Sequence, residues 1–80
     1  MINSDNFATI RTFHGMSQRD LASLLHVSQP YLAQVEGGAR PLSDNLRHKT
    51  MQALGLTPAT VSEITAIQAG YEAARARYLK

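Results

Sequence analysis

The sequence has no cysteine and no tryptophan, only two phenylalanines and three tyrosines, and no apolar run near the ~18 residues that mark a membrane-spanning helix. Without cysteine, no disulfide can staple the fold and thiolate metal sites are excluded. With so few aromatics, the core has to be aliphatic and alanine-rich. No signal-peptide apolar segment stands out, so a cytoplasmic protein without membrane contact is expected. A chain of 80 residues holds one domain, and a domain of that size buries only roughly 60–65% of its unfolded surface, so its core is marginal. Hydrophobic residues at 44% against 18% charged ones indicate a folded domain and not a solvated tail.

Charge of one sign is also scarce. The formal net charge is +2, and no polybasic run exists. Arg19, Arg40, Arg47 and Lys49 stand in the central segment against Asp20, Glu36 and Asp44, and Arg75, Arg77 and Lys80 cluster near the C-terminus with Glu72. Such an excess favours a polyanionic partner only weakly. Chemistry of other kinds is poorly supported. His14, His26 and His48 are too far apart for a compact ligand motif, so no metal is expected. Ser17, Ser23 and Ser28 lie near a histidine and an aspartate, but helix capping accounts for two of them and there is no nucleophile elbow. Neither catalysis nor a cofactor is expected.

Strand-like alternation is missing, and glycine and proline divide the chain into five helical segments. Ser4 reads as the cap of a first helix over about residues 5–14, with Phe7, Ile10 and Phe13 or His14 on one face and Gly15 as its stop. Ser17 caps a second over 18–25, with Asp20 in its first turn and Leu21, Leu24 and Leu25 as the apolar face. Ser28 caps a third over 29–36, where Pro30 is harmless because first-turn N–H groups have no intrahelical partner. Gly37 or Gly38 ends it in the left-handed conformation. A fourth, over about 43–54, turns Leu42, Leu46, Thr50, Ala53 and Leu54 to one side. Thr57 and Pro58 open a fifth that extends toward Leu79 unless Gly70 interrupts it. The expectation is one all-α domain over 1–80, with a core of about 4–68 and a helical extension over 69–80.

Only His26, Val27 and Ser28 join the second and third helices, which suits the sharp turn of a helix-turn-helix. Ala22 gives the small residue that two crossing helices need, and Leu21, Val27, Leu32 and Val35 can close one apolar cluster. His26 falls where the turn needs a left-handed residue, and histidine is among the non-glycine residues enriched there.

The segment QRDLASLLHVSQPYLAQVEGG resembles the Cro and lambda-repressor (Xre-like) type of helix-turn-helix. Gln18 opens the motif, Leu21-Ala22 is its Leu-Ala pair, Val27 its turn hydrophobe, and Leu32 and Val35 its inner positions on the third helix. His26 departs from the usual glycine, Pro30 from the usual composition of the third helix, and the 37–42 connection is short. The resemblance implies a lambda-repressor-like five-helix fold and a regulator of transcription, most simply a repressor, that places the third helix in the major groove of double-stranded DNA. By position, Ser28, Gln29, Gln34 and Tyr31 would face base edges, Gln29 foremost, and Ser17, Gln18, Arg19 and Arg40 would hold phosphates. It also implies that Arg11 pairs with Glu36.

The last helix stays open at this point. Val61, Ile64, Ile67, Tyr71, Ala74 and Tyr78 form a stripe longer than such a domain needs. Val61, Ile64 and Ile67 can complete the core and leave the rest solvated. Alternatively, Val61, Ile64, Ile67, Tyr71 and Tyr78 form the interface of a homodimer on a palindromic operator, or the helix binds another protein, as an antitoxin binds its toxin.

Overall fold

The computed structural model describes residues 1–79; Lys80, counted above with the C-terminal basic residues, lies outside them. Five helices follow one another with no strand among the described residues: α1 (Ser4–Phe13), α2 (Gln18–Leu25), α3 (Gln29–Glu36), α4 (Asp44–Ala53) and α5 (Pro58–Tyr78). Each starts on a side-chain cap. Ser17, Ser28, Ser43 and Thr57 accept the N–H of the residue three ahead, which satisfies one of the four orphan donors at each start.

For α1 the cap is Asn3 and not Ser4. Asn3 and Asn6 exchange hydrogen bonds, each backbone N–H donating to the other's Oδ1 at 2.8 and 3.0 Å. That reciprocity is open to Asn3 because its N3 residue carries an amide; Ser4 lacks such a partner. Just before the cap, Ile2 is completely buried in the same core as Phe7. The two occupy the N′ and N4 positions of a hydrophobic staple.

The core gathers Ile2, Phe7, Ile10, Leu21, Ala22, Leu25, Leu32, Val35, Leu46, Val61 and Ile64 where α1 packs on α3 and α5, and α2 on α3 and α4. Three expected core residues are instead exposed: Phe13, Leu24 and Ala53. At ~100° per residue, Ala22 pulls the buried face of α2 toward itself and leaves Leu24 about a quarter-turn outside. The same rotation leaves Phe13 outside a face centred on Phe7, Ile10 and the half-buried His14; Ala53 shares the side of the buried Leu46 but stands about two turns further on, at the last residue of α4. Thr50 is the one buried polar residue of the described core, and its hydroxyl donates to the Leu46 carbonyl at 2.8 Å.

Gly70 does not break α5, which continues to Tyr78. Its 21 residues make it ~31 Å long. The molecule measures 39 × 25 × 21 Å with a radius of gyration of 13.1 Å, above the ~12 Å of a compact chain this long. The second half of α5 extends past the body it packs on.

Candidate nucleic-acid interface

The turn between α2 and α3 rests on one residue of positive φ. His26 adopts φ 58°, ψ 42°, and its N–H and that of Val27 return to the carbonyls of Ser23 and Ala22 at 3.3 and 3.0 Å. This is the Schellman pattern that ends a helix and reverses the chain. A side chain in that region carries a steric cost that glycine escapes. His26→Gly is therefore expected to stabilise the domain by about 0.5–1 kcal/mol net of the extra freedom it gives the unfolded chain, or several degrees in Tm, in a thermal melt. A loss of stability would show that the exposed imidazole has a favourable contact of its own.

The far end of α3 closes the same way. Gly38 takes φ +80°, its N–H donates to Val35 at 3.2 Å, and the N–H of Ala39 donates to Gln34 at 2.9 Å. Backbone bonding thus closes α2 before the turn and α3 at its exit, while α3 starts on the Ser28 side chain with Pro30 in its first turn without loss.

Beneath α3 lies a chain of polar side chains. Arg11 reaches from α1 with its Nε on Glu36 Oε2 at 2.7 Å and its Nη2 on Glu36 Oε1 at 3.1 Å, while Nη1 donates to the Met16 carbonyl at 2.8 Å. The two side chains are only 14% and 7% exposed. Glu36 Oε1 also accepts from Gln18 Nε2 at 3.1 Å, and Gln18 Oε1 in turn accepts from Gln29 Nε2 at 3.2 Å. A planar guanidinium–carboxylate fork is rigid, so α1, α2 and both ends of α3 are latched to one another.

The residues named from sequence fall into distinct environments. Gln29 and Gln34 are exposed on α3. Gln29 uses one amide hydrogen on Gln18, which leaves its other amide hydrogen and its oxygen outward. Gln34 accepts from Arg40 Nε at 2.6 Å, and the Arg40 guanidinium lies 5.9 Å from the centre of the half-buried Tyr31 ring. Ser28 spends its oxygen on the N–H of Tyr31 as the cap of α3, and its O–H remains free to donate.

Gln18 is placed differently from its expected role. Its side chain braces Gln29 from behind and leaves chiefly its backbone N–H, unpartnered within α2, for an anion. Ser17 and Arg19 flank it and are exposed. Asp20 shares this helix start: the Ser17 backbone N–H, and after it the Ser17 hydroxyl, hold its carboxyl below the ordinary range. The depressed value means that this capping contribution is complete above the usual carboxylate range and fades in acid as Asp20 protonates.

Val61 and Ile64 belong to the chain's own core, being 1% and 5% exposed, so they cannot supply the free surface of an interface as the sequence suggested. Only Ile67, Tyr71 and Tyr78 of that set are uncovered. No helix of the described residues is long and apolar enough to cross a membrane.

A family model described as a helix-turn-helix domain matches residues 7–64. The chain belongs to that family. No curated protein and no solved structure matches it. The helix-turn-helix match runs from Phe7 to Ile64, so it takes in the Arg11–Glu36 fork, the His26 turn and the Gly38 exit, and stops where α5 leaves the core. The helix-turn-helix thus accounts for the body of the molecule; residues 65–79 lie outside the match.

Proposed function

We propose that this helix-turn-helix protein is a sequence-specific double-stranded DNA-binding regulator of transcription, most simply a repressor, that acts as a dimer on a palindromic operator. The observation that carries the reading is the braced exposure of Gln29 at the start of α3. With one amide hydrogen and its oxygen free, Gln29 matches the N7 acceptor and N6 donor that adenine presents in the major groove. Its orientation is set in advance by Gln18, which lowers the ordering cost of binding. Gln34 offers amide hydrogens to a neighbouring acceptor, Ser28 a hydroxyl, and Tyr31 a phenol at the groove edge. Ser17, Arg19, the backbone N–H of Gln18 and Arg40 take the phosphates on either side.

Selection of bound duplexes from a random pool tests the reading. It is expected to return inverted half-sites about one helical turn apart, each with an adenine whose enrichment depends on Gln29. A pool that stays random after repeated rounds would overturn it. Arg40→Ala is expected to weaken all duplexes alike and to lower the slope of log K against log salt by about one unit. A loss confined to one sequence would make Arg40 a base reader through its tie to Gln34.

A second reading, in which the chain chiefly neutralises a toxin and uses DNA binding to control its own operon, draws on the uncovered half of α5. Co-purification of a stoichiometric partner would favour it.

A further inference from the structure

Where the last turn of α1, the end of α4 and the first half of α5 meet, an open groove of about 290 Å³ remains. Phe13, Leu56, Ile67 and the buried Ile64 make its lining apolar, although Phe13 and Ile67 are each more than half exposed. None of the residues assigned above to bases or phosphates takes part in it.

The hydrogen bonds around the groove leave it with acceptors and no free donor. Gly55, at φ +64°, turns the chain so that the N–H groups of Leu54, Gly55 and Leu56 go back to the carbonyls of Thr50, Gln52 and Met51 at 3.0, 3.3 and 2.8 Å. The Thr60 hydroxyl donates to the Thr57 carbonyl at 3.0 Å, and the Thr60 backbone N–H donates to the Thr57 hydroxyl at 3.2 Å. His14 Nδ1 lies 2.7 Å from the Ile10 carbonyl. A carbonyl only accepts, so that nitrogen carries the hydrogen, and Nε2 of the neutral ring is an acceptor. Glu63 adds an exposed carboxylate that forms no ion pair among the described residues.

One ligand chemistry suits such a lining. An anion would find no hydrogen to accept and would face Glu63, and a neutral apolar molecule would leave both acceptors unused. A protonated amine on a compact apolar body satisfies them. The Phe13 ring, edge-on to His14 with centroids 5.4 Å apart, adds a π system that attracts the same charge.

We propose that this groove is a binding site for a small organic cation, an ammonium ion carried on one aromatic ring or on an aliphatic body of similar bulk. A cavity of ~150 Å³ accepts benzene, so this one has room for the ring and a short tail. The ring lies against Leu56, Ile64 and Ile67, and the ammonium sits between Glu63 and His14 Nε2. Phe13 and His14 follow Arg11 within one turn of α1, so an occupant touches the turn that carries the fork beneath α3.

Phenethylammonium is the probe, with phenylpropionate as an anion of similar shape and ethylammonium as the charge without the ring. Titrated into the DNA-free, nitrogen-15-labelled full chain, phenethylammonium is expected to bind with a Kd of about millimolar or below, the reach of so few atoms. Its shifts should gather at Phe13, His14, Leu54 to Leu56, Thr60 and Ile67 and extend to the Arg11 Nε–H. Phenylpropionate and ethylammonium should each bind at least about threefold more weakly. Glu63→Gln should weaken the cation about three- to fivefold, the range of a solvent-screened charge pair, and Glu63→Lys should reverse the order of cation and anion. Glu63 is exposed, so both variants should melt like wild type. No localised shifts at about 10 mM phenethylammonium, equal binding of phenylpropionate, or a cation indifferent to both variants would overturn the proposal. Affinity that falls as protein concentration rises would give the groove to a second copy and overturn it equally. DNA is absent throughout, so failure here leaves the regulator standing, and a chain that selects no duplex leaves the site standing.

Discussion

Glu36→Ala is expected to lower the stability of the domain by about 3 kcal/mol, the lower end of what removal of one partner from a buried ion pair costs. In a domain this small, that is roughly 12–24 °C in the midpoint of a thermal melt. The loss comes less from the missing attraction than from what remains. Arg11, 14% exposed, would keep only the Met16 carbonyl for its charge, and Gln18 would lose the acceptor that holds it. Total stability for 80 residues is of order 4–12 kcal/mol, so the variant should sit near the edge of folding. The companion Arg11→Met/Glu36→Leu double variant is expected to recover most of the loss, since an apolar pair incurs no desolvation cost. A Glu36→Ala melt within a degree or two of wild type would show that the fork is a solvated pair with no part in fixing α3.

Gln29→Ala is the larger of the effects on binding. On the selected duplex it should cost about 1–3 kcal/mol, roughly 5–150-fold in Kd, and the loss should be confined to discrimination at one adenine. Wild-type and variant affinities should converge on a duplex with that base pair changed. Gln18→Ala should lose part of the same discrimination without touching a base, because Gln29 then has to be ordered during binding. Competition titrations of the four base-pair variants at that position measure both. Equal losses on all four would make Gln29 a phosphate contact and reassign the base reading to Gln34 and Ser28.

The sequence made the bounds of α2 and α3 legible because strong local signals agree there. Ser17 and Ser28 stand as caps, His26 in the turn and Gly37-Gly38 at the exit, and each signal acts within a few residues. The inward positions Leu21, Ala22, Leu32 and Val35 were legible for the same reason. Leu24 and Phe13 were not, because a helix of two or three turns has several faces that satisfy an apolar spacing, and only the position of its neighbours chooses among them. Ile2 carries a weaker signal of the same local kind: an apolar residue just ahead of a cap, with Phe7 at the staple position. The polar chain from Arg11 to Gln29 was legible only at its first pair. That Gln18 turns inward depends on two side chains, Glu36 and Gln29, brought to it by tertiary packing. The stripe on α5 was plain in sequence, but its division between core and surface was not, since Val61 and Ile64 meet the body while Tyr71 and Tyr78 extend beyond it.

The proposed function requires that α3 and its flanks, and not α5, meet DNA. Amide spectra of the nitrogen-15-labelled chain, recorded as the selected duplex is added, test it most directly. The largest shifts are expected at Ser17 to Arg19, Ser28 to Gln34 and Arg40, with Gln29 side-chain resonances moving most, and with α5 beyond Ile67 unchanged. Shifts concentrated on α5, with α3 silent, would contradict it.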